Sequence, residues 1–379
     1  MIKKIIQRCA SLTISNICLS GFFVLVFWST MSQTKKGIFI VQKEFFQSFF
    51  IWWAPVEGIK IPIFIGGLIF GGLLVINLIA SIIYHRLYKF KKWGLFLVHV
   101  GLLMLLLGGW LSSLLTTETQ MKIKEGQTQF YSESSRAAEL VFIDRSNPAH
   151  DRVISIPDTL LAKQGTITHP DLPFSVRIDH YYLNAQLTMR QFTEKNIQTE
   201  PLQGVGSRLI VNPLKPVVKD ELMNLQTAKI TLLDQNQAIG SWLVSMALNP
   251  RQSVTYKGKT YDLSLRQARY YNPYSLTLTK FTHERYPGTD IPKSFSSAVI
   301  LDDPEMGENR NVLIYMNHPL RYRGKTFFQA SFGENDTLTV FQVVENPLWL
   351  EPYISSILIA FGLLLHFIIR LGQGAKKRV

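Results

Sequence analysis

From Lys92 to Leu115 the chain reads KWGLFLVHVGLLMLLLGGWLSSLL, an apolar run with one ionisable side chain inside it, His99. About 20 apolar residues rising 1.5 Å each cross the roughly 30 Å hydrocarbon layer of a bilayer. The stretch is therefore expected to form a transmembrane helix. A charged side chain in such a helix costs about 2.5 kcal/mol or more, so an ionisable residue there turns towards a partner, a cavity or a cofactor. His99 is expected to be neutral and to face inward. Two roles suit it: an axial haem ligand, or an imidazole hydrogen-bonded to a neighbouring helix.

Three further apolar runs have spanning length: Leu12 to Thr30, Ile61 to Ile83 and about Trp349 to Ile369. Between the third and fourth lie about 230 residues of mixed composition, enough to bury a core of their own. The expected fold class is a membrane protein with four transmembrane α-helices and a large β-rich, sandwich-like extracytoplasmic domain. Its parts would be an N-terminal membrane region over 1–115, the exported domain over 116–346, and a C-terminal helix with a basic tail over 347–379.

A net charge of +13 invites a nucleic-acid reading, but the charge sits at the membrane. Lys3, Lys4 and Arg8 precede the first run; Arg86, Lys89, Lys91 and Lys92 separate the second from the third; Arg370, Lys376, Lys377 and Arg378 follow the fourth. These segments hold eleven basic residues and no acidic one, which leaves about +2 for the rest of the chain. The pattern is positive-inside, which is expected to put both termini in the cytoplasm and the large domain on the outer side of the membrane. A nucleic-acid surface loses its main support.

The two cysteines, Cys9 and Cys18, fall at or in the first run. The exported domain thus has no disulfide framework, and no C-x-x-C points to thiol–disulfide chemistry. Residues 1 to 30 have the basic start and apolar core of a signal peptide, but Trp28 stands where a cleavage site would need small residues, so an uncleaved first span is expected.

Residues 37–53, GIFIVQKEFFQSFFIWW, place Ile38, Val41, Phe45, Phe49 and Trp52 on one helical face, which predicts an interfacial amphipathic helix packed on the bundle or walling an outward chamber. In the second run Gly67 and Gly71 have the spacing of close helix packing, and Asn77 is a polar partner for His99 or for backbone. The last run carries His366, four residues or about 6 Å before Arg370, while His99 lies seven residues or about 10 Å after Lys92. Similar depths make His366 a second, weaker haem-ligand candidate.

After Thr116 short β-rich runs follow, such as those beginning at Phe174, Arg208, Ala228, Ser275 and Asn311, punctuated by Gly, Pro, Asn and Asp. A mostly antiparallel sheet or sandwich is expected. YKGKTY from Tyr256 and YRGKTF from Tyr322 echo each other, which suits either duplicated hairpins or a shared turn composition. Arg321, Arg323 and Lys325 alternate and would share one face of a strand, as a solvated face or one that meets propionates, an acidic surface or a partner. Asp302, Asp303, Glu305 and Glu308 form an acidic turn without the spacing of a metal loop. His150, His169, His180, His283 and His318 show no metal-ligand spacing.

The layout, together with WGLFLVHVGLLMLLLGG in the third run, SFSSAVILDD from Ser294, YMNHPLRYRGKTFFQASF from Tyr315 and NPLWLEPYISSILIAFGLLL from Asn346, resembles the ResB (CcsB) family of the system II cytochrome c maturation machinery. The likeness covers about the first 130 residues and the chain from Ser294 onward. It implies a ResC (CcsA)-type membrane partner, with which the protein exports haem b and presents it for covalent attachment to apocytochrome c, possession of a thiol reductase partner being compatible with that scheme. A histidine of the third span is implicated in haem binding in that family, and the matching residue is His99; His366 rests on depth alone.

Thioether formation needs reduced haem, reduced thiols and close positioning, and the sequence offers no acid, base or nucleophile for that step. The chain is accordingly expected to be a subunit of a cytochrome c haem lyase complex without catalytic residues of its own. The rival readings are a membrane b-type electron carrier, with His99 and His366 holding a resident haem, and a scaffold that docks apocytochrome c.

Overall fold

The structure, a computed structural model, describes residues 1–56, 59–147, 150–190, 202–217, 223–248, 251–289, 292–333 and 336–376. Lys377 and Arg378 of the basic tail lie outside the described residues. The chain divides into two compact units. One comprises the described residues of 1–117 and 346–376, the other those of 118–217 and 223–345.

Among the described residues four helices are long and apolar enough to cross a membrane. The first is Leu12–Lys36, the second Gly67–Tyr84, the third Trp93–Leu115 and the fourth Glu351–Lys376. Ser11 starts the first by accepting a hydrogen bond from the Thr13 amide, and a short helix, Ile2–Cys9, precedes it.

The third and fourth helices pack through glycines spaced seven residues apart. Gly94 lies on the His366 backbone, Gly101 faces Ile359 and the Ser355 carbonyl, and Gly108 lies on the Glu351 side chain. As the third-helix numbers rise the fourth-helix numbers fall, so the two run antiparallel. The Gly67–Gly71 pair does not play this part: a methyl at Gly67 would meet the Phe46 backbone at 2.7 Å, and one at Gly71 only the edge of Phe22 at 3.9 Å.

Two sequence expectations in this unit are corrected. The helix expected over 37–53 ends early: Ile38–Val41 and a π-turn over Gln42–Phe46 bury Val41 and Phe45, after which Phe50–Val56 is a strand. It pairs antiparallel with Ile59–Ile65, Phe50 opposite Ile65 and Trp53 opposite Ile61, so the second helix starts at Gly67 and not at Ile61. Prolines at 55 and 62 exclude a helix interior, and the β-branched and aromatic residues around them favour a strand; a two-stranded hairpin, being all edge, tolerates proline.

The second unit is β-rich and sandwich-like. Its largest sheet runs, edge to edge, through Glu308–Tyr315, Pro292–Asp303, Lys259–Arg285, Thr128–Asp144, Thr117–Lys124, Leu338–Glu345, Lys325–Gly333 and Leu320–Tyr322. The sheet curls until its ends meet: Ser297 Oγ donates to Gln329 at 2.7 Å, and Tyr322 OH donates to Asp303 at 2.7 Å. Phe327, Phe341, Leu276, Leu301 and Met121 fill the curl. A five-stranded sheet that includes Ser175–Tyr182, Thr227–Asp234 and Gln237–Ser245 covers a second core around Phe142, Phe174, Ile230, Trp242 and Leu263. The long strands Thr128–Asp144 and Lys259–Arg285 change register at irregularities near Gln267 and Tyr271, and Lys259–Arg285 serves both cores.

The sequence echo is a pair of hairpins. Tyr256 pairs with Lys259 across Lys257–Gly258, and Tyr322 with Lys325 across Arg323–Gly324. All four turn residues have positive φ, between 42° and 78°, the geometry of the tight turn that matches strand twist. Arg323 is therefore a turn residue, and the expectation that Arg321, Arg323 and Lys325 share one strand face is corrected.

Candidate functional site

Within the helical unit a cavity of about 570 Å³ lies at the end of the bundle where the second helix stops and the third begins. Leu12 and Ser15 reach it from the first helix, Asn77, Leu78, Ser81 and His85 from the second and its cap, Lys91, Lys92, Leu95 and His99 from the connection and the third, and His366, Ile369, Arg370 and Gln373 from the fourth. Its volume lies within the roughly 300–1,000 Å³ of small-molecule and cofactor sites. The two histidines singled out from the sequence thus line one space.

His99 is half-buried, and its Nδ1 lies 2.8 Å from the Leu95 carbonyl oxygen one turn earlier. A carbonyl only accepts, so Nδ1 carries the proton and donates it. A ring bonded in this way, when it carries no second proton, has its Nε2 lone pair available for a metal, the arrangement in which a histidine ligand is oriented by a bond at its other nitrogen. His366 is also half-buried. With Gly94 against His366, the antiparallel register puts His99 five residues farther along, about 7.5 Å along the axis.

Asn77 is not the partner of His99. Its Nδ2 donates to the carbonyls of Cys9 at 2.7 Å and Ser11 at 3.0 Å, and its Oδ1 accepts from Ser15 at 2.8 Å. It ties the start of the first helix to the second, and in doing so shapes one wall of the cavity. Lys92 Nζ donates to the His85 carbonyl at 2.7 Å and closes the connection between second and third helices.

His85 was missed by the reading of spans, because it falls just past an apolar run. Its signal is the basic connector itself: a residue there belongs to the same end of the bundle as Lys92 and Arg370. A second cavity of about 810 Å³ in this unit is lined by Phe50, Trp52 and Trp53 of the hairpin together with Lys36, Glu44 and Lys60. Lys36 is paired with Glu44.

In the β-rich unit no group of three or more metal-ligating side chains occurs among the described residues. His318 stacks on Tyr315 with ring centroids 4.6 Å apart, His283 is held by Asp336 at 3.0 Å, and His169 Nδ1 accepts from the Asp171 amide. His180 lies by the Tyr182 ring and His150 by Asn147. The acidic turn is a tether. Asp303 is fully buried and accepts from Tyr322 OH, from the Arg323 guanidinium at 2.7 Å and from the amides of Glu305 and Met306, while Arg323 also reaches Glu305 at 2.8 Å. Burial alone would raise the Asp303 carboxyl, yet the Tyr322 and backbone hydrogen bonds and the Arg323 charge hold it below its ordinary value. Tyr322, desolvated and donating to that carboxylate, is pushed up to about 12.

Helices of spanning length around a histidine-lined cavity, joined to a large β-rich domain, define a membrane-associated protein with a cavity in its helical part. The resemblance drawn from the sequence is borne out by known proteins: residues 250–353 match the ResB-like family. Over 301 residues the chain is 25% identical to Protein NrfI of Wolinella succinogenes, an alignment that covers 77% of this chain and 29% of that protein. A stretch of 62 residues is 44% identical to Cytochrome c biogenesis protein CcsB of Synechococcus sp. (strain CC9311), covering 16% of this chain and 14% of that one. The chain thus aligns with less than a third of the length of either relative.

Proposed function

We propose that this protein works in cytochrome c maturation as a ResB-type membrane subunit. With a ResC (CcsA)-type partner it carries haem across the membrane and presents it for attachment to apocytochrome c. Haem is the cargo, and His99 supplies one axial ligand through Nε2. His366 and His85 are the ligand candidates within this chain for the other side of the iron, and the partner is the source outside it. The β-rich domain positions the apocytochrome.

The observation that carries the reading is the Nδ1–Leu95 bond in a cavity that His99 and His366 share. It supports an oriented imidazole whose Nε2 is free to meet iron, in a cavity where Leu12, Leu78, Leu95 and Ile369 give apolar walls beside a polar lining, which suits reversible iron binding in a membrane. The similarity to a protein named for cytochrome c biogenesis supports the process.

The test is the visible spectrum and haem content of the detergent-purified protein, alone and with its partner, beside His99→Ala and His366→Ala. Loss of a low-spin spectrum in His99→Ala only is expected for one ligand from this chain and one from the partner. Loss in both variants assigns both ligands to this chain. Normal cytochrome c maturation by His99→Ala would remove His99 from the mechanism.

A further inference from the structure

The cavity that His99 lines also carries a cluster of basic side chains. Lys91, Lys92 and Arg370 line it, and among the described residues no carboxylate does. Lys92 is engaged by the His85 carbonyl, whereas Lys91 and Arg370 have no hydrogen-bond or ion-pair partner among the described residues. Both are solvent-exposed where they line the cavity, so an anion that enters it can take a charge-assisted hydrogen bond from each.

We propose that Lys91 and Arg370 form a carboxylate clamp, so that the ligand of this cavity is an amphiphilic tetrapyrrole diacid held by its acid edge at the basic end of the bundle. This rests on the haem reading above and adds the orientation and the chemical selection. The two cations approach from different elements, Lys91 from the turn Phe90–Lys92 and Arg370 from the fourth helix. Arg370 follows His366 by four residues and shares its helix face. Lys91 precedes His99 by eight residues, about 12 Å of rise, a span that a lysine side chain and the radius of a tetrapyrrole centred at His99 cover together. Leu12, Leu78, Leu95 and Ile369 supply the apolar walls for the ring. Arginine grips a carboxylate through two parallel N–H donors and lysine as a point charge, so the pair selects a dicarboxylate over its neutral ester.

The full chain in phosphatidylcholine nanodiscs is titrated with iron protoporphyrin IX and with its dimethyl ester, followed by visible absorption. Wild type is expected to prefer the diacid by about tenfold or more, the value of a charge-assisted hydrogen bond. Lys91→Gln/Arg370→Gln should lose the preference while keeping its affinity for the ester, which also shows that it is folded. Lys91→Arg/Arg370→Lys should restore the preference. Equal binding of both compounds by wild type, or a preference unchanged in the double Gln variant, overturns the clamp and leaves the haem reading standing. Binding of neither compound by wild type overturns both. A preference that phosphatidylglycerol nanodiscs abolish would identify the clamp as a lipid-headgroup site and likewise overturn it.

Discussion

Gly94 of the third spanning helix and Gly362 of the fourth lie backbone to backbone: a methyl built on Gly362 would sit 2.8 Å from the Gly94 carbonyl oxygen and 2.9 Å from the Val98 amide nitrogen. His99 and His366 flank this contact in sequence, so the closeness of the two helices sets where both imidazoles enter the cavity. Gly362→Ala is expected to cost about 1–3 kcal/mol through overpacking. Gly72→Ala in the second helix, with open space around it, should be neutral or slightly stabilising. Thermal denaturation in detergent compares them, and an unchanged midpoint for Gly362→Ala would refute the close approach.

Asn77 makes three hydrogen bonds that join the start of the first helix to the second. Asn77→Leu keeps the bulk and leaves the Cys9 and Ser11 carbonyls without that donor, a loss of roughly 1–3 kcal/mol. The expected outcome is faster proteolysis of the N-terminal helix with the His99 environment altered only through the wall it shares. A variant as protease-resistant as wild type would show that the junction is held by other contacts.

The number of spans and the position of the third, Trp93–Leu115, were legible because spanning length needs only a run of apolar residues. The hairpin over 50–65 was not. Its residues are apolar on both faces, so helical and strand periodicities look alike there, and the signals against a helix are the prolines at 55 and 62 and the β-branched and aromatic residues around them. His99 stood out as the lone ionisable group in its helix. The cavity itself was hidden, since it is assembled from the ends of four helices and a connector that no local pattern brings together. In the β-rich unit the paired hairpins were visible as repeated Lys-Gly and Arg-Gly turns. The link from Asp303 to Tyr322 and Arg323 depends on the curl of a sheet, which strand periodicity does not encode.

Asp303 contributes to stability in a pH-dependent way. Its native carboxyl titrates below the unfolded value of about 3.9, so its stabilising effect is complete above about pH 4 and is lost as the pH falls towards the native value. Denaturant unfolding of the full chain followed through the β-rich unit should therefore show lower stability at pH 3 than at pH 7. Asp303→Asn should lower stability at pH 7 and shrink the difference between the two conditions. An equal pH difference in wild type and variant would mean that other carboxylates carry it.

Gly324 has φ +78° at the second turn position of the Tyr322–Lys325 hairpin, with nothing near a built methyl. The cost of Gly324→Ala is therefore conformational and not steric crowding by neighbours, about 1–2 kcal/mol for an L-residue forced into the left-handed region. Because the turn sets Arg323 against Asp303 and Glu305, the variant should also weaken that tether. Gly324→Asn, which tolerates positive φ, is expected to recover most of the loss. Full-chain unfolding midpoints for the two substitutions decide the matter: equal losses would mean that the side chain, not the backbone angle, is what the turn rejects, and the Arg323–Asp303 tether would then be independent of the turn geometry.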